Sequence, residues 1–155
     1  MILRFAQGSK VDSYLIAALE KVAMPFTPTH VEAQMPDGTL IGSRFDGGVQ
    51  RREAGYDAAY TAYELFLTLP AEPAMDFKFH AWLEGKIGTA YDWPAILGFV
   101  LPSHRHTPEH AICSALIVLG LRACGWFQYP LAAPAHLINP RDLLLLVSGR
   151  VRIPM

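Results

Sequence analysis

The sequence predicts a single α+β domain, in which a small antiparallel sheet packs against helices. Strand-like segments gather early in the chain and helix-like segments gather late, an order typical of α+β folds. A length of 155 residues favours one domain over residues 1–155. Hydrophobic residues make up 52% and charged residues 17% of the chain, which indicates a sizeable core rather than disorder.

The first third of the chain predicts strands and one helix. Residues 2–5 form a short apolar strand, and residues 11–22 carry apolar side chains on one helical face. Residues 30–35 and 39–44 flank Pro36-Asp37-Gly38, a β-turn composition that predicts a hairpin. Residues 49–52 continue as a further strand after two glycines.

The rest of the chain predicts helices. Residues 56–66 and 74–84 have amphipathic spacing and are separated by prolines. A short helix over 94–100 and a polar loop over 102–108 precede a helix over 109–124, which Gly125 ends. Asn139-Pro140 introduces a final short helix over 143–147.

Charge and hydropathy exclude several classes of partner. The formal net charge is −1 and no basic stripe is visible, so nucleic acid is not expected. The longest apolar stretches are too short to span a bilayer, so stable membrane insertion is not expected. No signal peptide is visible, so we expect a cytoplasmic protein. The apolar composition leaves room for a homo-oligomer surface.

The chain has two cysteines, too few for a disulfide framework. Cys113 lies in an apolar helical segment, where a thiol is either a buried core residue or a nucleophile near the helix start. From the pattern alone the buried core residue is the more ordinary interpretation. The second role depends on the helix start, whose positive potential lowers a thiol pKa and whose N–H groups can bind an oxyanion. Cys124 lies near the other end of the helix, where the dipole opposes a thiolate.

His30 lies on the polar face of a predicted strand, together with Glu32. It is either a solvent-facing residue or a general base that would need to reach Cys113 and be oriented by a third polar group. Histidine first and cysteine second reverses the order of ordinary papain-type enzymes.

No metal or other cofactor is expected. His104, His106 and His110 are close in sequence, but no cysteine or carboxylate joins them at a recognised ligand spacing. A solvated loop is the better interpretation of this segment.

Several segments, taken in order, resemble one family: the circularly permuted papain-like cysteine hydrolases of the YiiX type. This family belongs to the NlpC superfamily and is similar in layout to lecithin retinol acyltransferase. The matching segments are Phe26-Thr27-Pro28-Thr29-His30-Val31-Glu32 with Pro36-Asp37-Gly38-Thr39, Asp46-Gly47-Gly48-Val49, Gly88-Thr89-Ala90-Tyr91-Asp92-Trp93, Cys113-Ser114 and Ile138-Asn139-Pro140-Arg141-Asp142-Leu143.

The resemblance implies a permuted papain-like fold and a set of site residues. Cys113 matches the family's nucleophile and His30 its base. The acidic residue often found on the strand after the histidine is absent, so Ser43 is the expected orienter. Tyr91, Asp92 and Trp93 are expected to line or support the substrate cleft.

Two functions follow as expectations. The first is a cysteine hydrolase, amidase or acyltransferase that acts on an amide, ester or thioester through Cys113 and His30, with a small-molecule, peptide or lipid substrate. The second is a catalytically inactive binding or structural protein that retains the fold, of phage or prophage type.

Overall fold

The computed structural model describes residues 1–9, 27–92 and 112–151. Within these ranges the chain forms five strands and three helices, which confirms the predicted α+β class. The strands are β1 (Ile2–Gly8), β2 (His30–Gln34), β3 (Leu40–Arg44), β4 (Gly48–Arg52) and β5 (Thr61–Thr68). The helices are α1 (Pro73–Glu84), α2 (Cys113–Ala123) and α3 (Pro140–Ser148).

The sheet is antiparallel throughout, in the order β4-β3-β2-β1-β5. The predicted hairpin is confirmed as β2 and β3, with Ala33 opposite Ile41. Asp37 shapes the turn because its carboxylate accepts hydrogen bonds from the backbone and hydroxyl of Thr39. The predicted strand at residues 49–52 is also confirmed, as β4.

The predicted helix over residues 56–66 is wrong. A short 3₁₀ turn over Ala58–Tyr60 leads instead into β5, which pairs with β1 with one irregularity, between Gln7 and Gly8. The apolar residues Tyr63, Leu65 and Leu67 also repeat every second position, which is a strand period. Pairing with β1 satisfies backbone groups that would otherwise form an open sheet edge, and this tertiary contact overrides the helical spacing.

The helix predicted over residues 109–124 begins at Cys113, as α2. The residue before it, Ile112, is in extended conformation. Cys113 is therefore the first residue of the helix rather than a residue one turn inside it. The predicted helices over 11–22 and 94–100 lie outside the described residues.

The hydrophobic core lies between one face of the sheet and the helices. Alternate residues of β1 and β2 point into it, among them Leu3, Phe5 and Val31. α2 is buried on nearly all sides and packs against β2, β3, α1 and α3. None of the described helices has the length and apolar character that crossing a membrane requires.

The other face of the sheet carries charged residues that are also buried. Arg4 lies opposite Glu32 across β1 and β2, and their side chains are 2% and 0% exposed. Gly42 of β3 leaves the space that Glu32 occupies, because a Cβ atom at position 42 would lie 2.5 Å from Cγ of Glu32. A buried carboxylate on β2 therefore requires the smallest residue beside it.

Replacing Gly42 with alanine should destabilise the protein by about 1–3 kcal/mol, the usual cost of overpacking a filled site. Urea unfolding measures the effect. Gly149→Ala is the matched control, since a Cβ atom there meets nothing within 4 Å. Equal stability of the two variants would contradict the close packing of Glu32 against Gly42.

Candidate active site

Cys113 occupies the N-terminal end of α2. Ile112 supplies no capping side chain, and no acidic residue lies in the first turn. The first N–H groups of a helix have no intrahelical partners, so they give this end a positive potential. Cys113 is only 6% exposed. The sequence thus places the Cys113 side chain at the positive end of a helix.

His30 is the first residue of β2, and its imidazole interacts with the Cys113 side chain. The chain enters β2 through Thr29, whose backbone N–H donates to the carbonyl of Ala6. This bond fixes the beginning of β2 beside β1. The structure thereby brings together the two residues that the sequence predicts to be neighbours, although they lie far apart in the chain.

Glu32 is the charged partner of His30, and sequence reasoning did not assign it a role. Its Oε1 atom lies 3.2 Å from Nε2 of His30, as an ion-pair contact. Oε1 also accepts a hydrogen bond from the Tyr56 hydroxyl at 2.8 Å, and Oε2 accepts one from Nη1 of Arg4 at 2.9 Å. Both carboxylate oxygens are held, so the group has a fixed position beside the imidazole.

Two signals in the sequence pointed toward Glu32. It shares the polar face of β2 with His30, because side chains two positions apart in a strand point the same way. Arg4 also interrupts the apolar strand of residues 2–5, and a buried arginine requires a carboxylate. Neither signal says which carboxylate is the partner, since that depends on strand order.

The ion pair of His30 and Glu32 shifts both pKa values strongly. Burial alone would lower the pKa of His30, but the charge of Glu32 and the contact with Cys113 raise it to about 9. Burial alone would raise the pKa of Glu32, but His30, Tyr56 and Arg4 lower it to about 2. At neutral pH the site therefore holds an imidazolium ion beside the Cys113 sulfur.

Arg4 anchors the network around Glu32. Its guanidinium donates to Glu32, to both carboxylate oxygens of Asp57 at 2.8 and 3.1 Å, and to Glu64 at 2.8 Å. These bonds offset the large desolvation cost of a buried arginine. Asp57 reaches Arg4 from the loop between β4 and β5, so this loop covers the charged face of the sheet.

Tyr91, one of the expected cleft residues, is half-buried at the end of the loop that follows α1. Burial raises the pKa of Tyr91, and the nearby charge of Cys113 raises it further. Two hydrogen bonds between β4 and the loop before Tyr91 fix this segment: Gly88 N–H to Val49 O, and Val49 N–H to Thr89 O.

Asp92 is fully buried beside Tyr91, and Trp93 lies outside the described residues. The cleft-lining role of these three residues stays a prediction.

Ser43 is fully buried in β3, where it pairs with Val49 of β4. The structure places it in the sheet next to Gly42, and its predicted orienting role stays a prediction. Cys124 lies at the C-terminal end of α2, and its thiol donates to the carbonyl of Leu121 at 3.3 Å. Burial raises the pKa of Cys124, which disfavours a thiolate there.

In the described part of the chain, no group of three histidine, cysteine or acidic side chains is placed to hold a metal ion. His104, His106 and His110 lie outside that part. Comparison with family models, with curated proteins and with solved structures finds no match to this chain. We therefore infer function from the geometry of the site.

The shifted pKa values of His30 and Glu32 predict how stability depends on pH. The pKa of His30 is raised from 6.5 to about 9, so its contribution is complete below pH 6.5 and is lost as the pH rises through about 9. The pKa of Glu32 is lowered from 4.5 to about 2, so its contribution is complete above pH 4.5 and is lost as the pH falls through about 2.

Urea unfolding of the wild type and of His30→Asn measures this dependence. The difference in their free energies of unfolding should be largest between pH 4.5 and pH 6.5, the ordinary pKa values of the two groups. It should shrink as the pH rises through about 9, where His30 loses its proton. A difference that stays constant to about pH 10 would show that His30 is not charged by Glu32 and Cys113.

Proposed function

We propose that the chain is a cysteine hydrolase or acyltransferase in which Cys113 is the nucleophile, His30 the general base and acid, and Glu32 the residue that orients His30. The observation that carries the proposal is the convergence of these three groups at the start of α2. A thiol at a helix start, a contacting imidazole and a buried carboxylate behind it are the parts that nucleophilic catalysis requires.

The geometry supports a two-step acyl transfer. The Cys113 sulfur, paired with the His30 imidazolium, attacks the carbonyl carbon of an amide, ester or thioester. N–H groups in the first turn of α2 stabilise the oxyanion. His30 gives its proton to the leaving group, and a thioester to Cys113 remains. His30 then takes a proton from water or another acceptor, whose nucleophilic atom forms a bond to the thioester carbon. The bond from that carbon to sulfur breaks, so the acyl group leaves on the acceptor and the Cys113 sulfur keeps the electron pair beside the His30 imidazolium.

We assign the orienting role to Glu32 rather than to Ser43. The carboxylate contacts Nε2 of His30 directly, and its negative charge stabilises the imidazolium that each proton transfer creates. Gly42 stands on β3 beside Ser43, close to the position where an acidic residue was expected. Because Gly42 has no side chain, Glu32 fills that space from β2.

The permuted papain-like family remains our proposal for the fold. An early histidine on a strand of an antiparallel sheet and a late cysteine at a helix start support it. Amide, ester and thioester substrates all fit the proposed chemistry, since each presents a carbonyl carbon to the sulfur. The cytoplasmic location stays a prediction.

Thiol labelling distinguishes this function from an inactive protein that retains the fold. Cys113 should react with iodoacetamide at about pH 6, well below the ordinary thiol pKa of about 8.5. Mass spectrometry locates the label. Cys124→Ser, the matched control, should be labelled as fast as the wild type, and Cys113→Ser should not be labelled. Labelling of Cys124 first would show that the wrong thiol has been chosen.

Glu32→Gln tests the third member of the site. The amide keeps the shape of the side chain but removes the charge, so labelling of Cys113 at about pH 6 should slow by about tenfold or more, the effect of one lost charge-assisted contact. Circular dichroism checks that the variant is folded. An unchanged rate in a folded variant would remove Glu32 from the mechanism.

Acyl transfer itself is measured with p-nitrophenyl acetate. The wild type and Cys124→Ser should release a burst of p-nitrophenol as the Cys113 thioester forms, and mass spectrometry should detect the added acetyl group. Cys113→Ser should show no burst. A wild-type protein that is labelled by iodoacetamide but never acylated would favour a binding protein with a reactive thiol.

A further inference from the structure

Two arginines beside the candidate active site have donors without acceptors. Nε of Arg44 and Nη2 of Arg52 are buried, and neither has a hydrogen-bond partner among the described residues. Each atom lies 3.6 Å from Oδ1 of Asp46. Two N–H groups thus converge on one carboxylate oxygen at a distance longer than a hydrogen bond. Buried donors in this state cost free energy until an acceptor approaches more closely.

The surrounding contacts hold both guanidinium groups in place. They lie over the ring of Tyr56, at 5.3 Å for Arg44 and 5.4 Å for Arg52. Nη1 of Arg44 donates to the Tyr56 hydroxyl at 3.0 Å, and Nη1 of Arg52 donates to the carbonyl of Gly42 at 3.2 Å. The arginines are therefore oriented before any ligand arrives, which lowers the entropic cost of binding an anion.

Arg44 is linked to the candidate active site through Tyr56. The Tyr56 hydroxyl accepts a hydrogen bond from Nη1 of Arg44 at 3.0 Å and donates one to Oε1 of Glu32 at 2.8 Å. The same Oε1 atom lies 3.2 Å from Nε2 of His30. An anion held by Arg44 would therefore lie beside the charged network that contacts the proposed base.

We propose that Arg44 and Arg52 form a subsite for a carboxylate group of the substrate, and that Asp46 occupies this subsite in the free protein. Asp46 is half exposed and lies in the turn between β3 and β4, so it can move into solvent. A guanidinium fork matches the planar geometry of a carboxylate. The inference rests on the proposed function and narrows its substrate to an amide or ester that carries a carboxylate near the scissile carbonyl.

Binding of succinate tests the subsite without any need for catalysis. Asp46→Asn removes the internal competitor, so isothermal titration calorimetry should show succinate binding at least about tenfold tighter than in the wild type. Arg44→Lys in the Asp46→Asn background keeps the charge but loses the fork, and the gain should disappear. Arg52→Lys in that background is the second variant, should the first fail to fold. Absence of succinate binding to a folded Asp46→Asn protein would overturn the subsite.

Alkylation of Cys113 then tests whether the subsite lies beside the nucleophile. Iodoacetate and iodoacetamide have similar size and differ in charge. In both reactions the sulfur forms a bond to the methylene carbon, and iodide leaves with the electrons of the carbon–iodine bond. The ratio of the iodoacetate rate to the iodoacetamide rate should rise about tenfold in Asp46→Asn and fall back when Arg44→Lys is added.

Arg51→Gln is the matched control for this ratio. Arg51 neighbours Arg52 on β4, but its guanidinium pairs with Asp37 and Glu84 instead. Its removal should leave the ratio unchanged. Equal ratios in all variants would overturn the placement of the subsite beside Cys113. A Cys113 that reacts with neither reagent, in a protein whose Asp46→Asn variant binds succinate, would overturn the proposed function and leave the subsite supported.

Discussion

The buried ion pair between Arg4 and Glu32 is the constraint on which the rest of the structure depends. A carboxylate with no exposure to solvent is stable only when charged partners and hydrogen bonds replace water. Arg4 supplies the charge, and Arg4 in turn requires Asp57 from the loop before β5 and Glu64 from β5 itself. Charged groups therefore cover the second face of the sheet. The edge strand β5 contributes Glu64 as a partner of Arg4, as well as backbone hydrogen bonds to β1.

In the proposed mechanism, the same ion pair makes His30 suited to act on Cys113. Glu32 cannot turn toward solvent, because Arg4 and Tyr56 hold its two oxygens and its methylene group packs against Gly42. A fixed negative charge beside the imidazole keeps the proton on His30 at neutral pH. The imidazolium then lies next to a sulfur that already sits at the positive end of α2. Sheet packing holds the positive charge of His30 beside the Cys113 sulfur, and the helix dipole of α2 adds a second positive potential at the same atom.

The sequence contains enough to predict the elements that depend on local signals. The hairpin follows from Pro36-Asp37-Gly38, and α3 follows from the Asn139 cap, whose side chain accepts a hydrogen bond from the backbone of Asp142. Features that depend on contacts between distant parts of the chain are harder to predict from the sequence. Residues 61–68 form a strand because they pair with β1, which lies far from them in the sequence. The role of Glu32 depends on the pairing of β2 with β1 and β3, which places Arg4 and Gly42 beside it, and no spacing within one segment encodes that arrangement.

The titration of His30 tests the central claim most directly. Imidazole resonances followed by nitrogen–proton correlation NMR give the pKa of His30 in the wild type and in Glu32→Gln. The account predicts a pKa near 9 in the wild type and a value at least about one unit lower in Glu32→Gln, since the charge of the carboxylate is the largest favourable influence on the imidazolium. A wild-type pKa near 6.5 that does not change in Glu32→Gln would contradict the account.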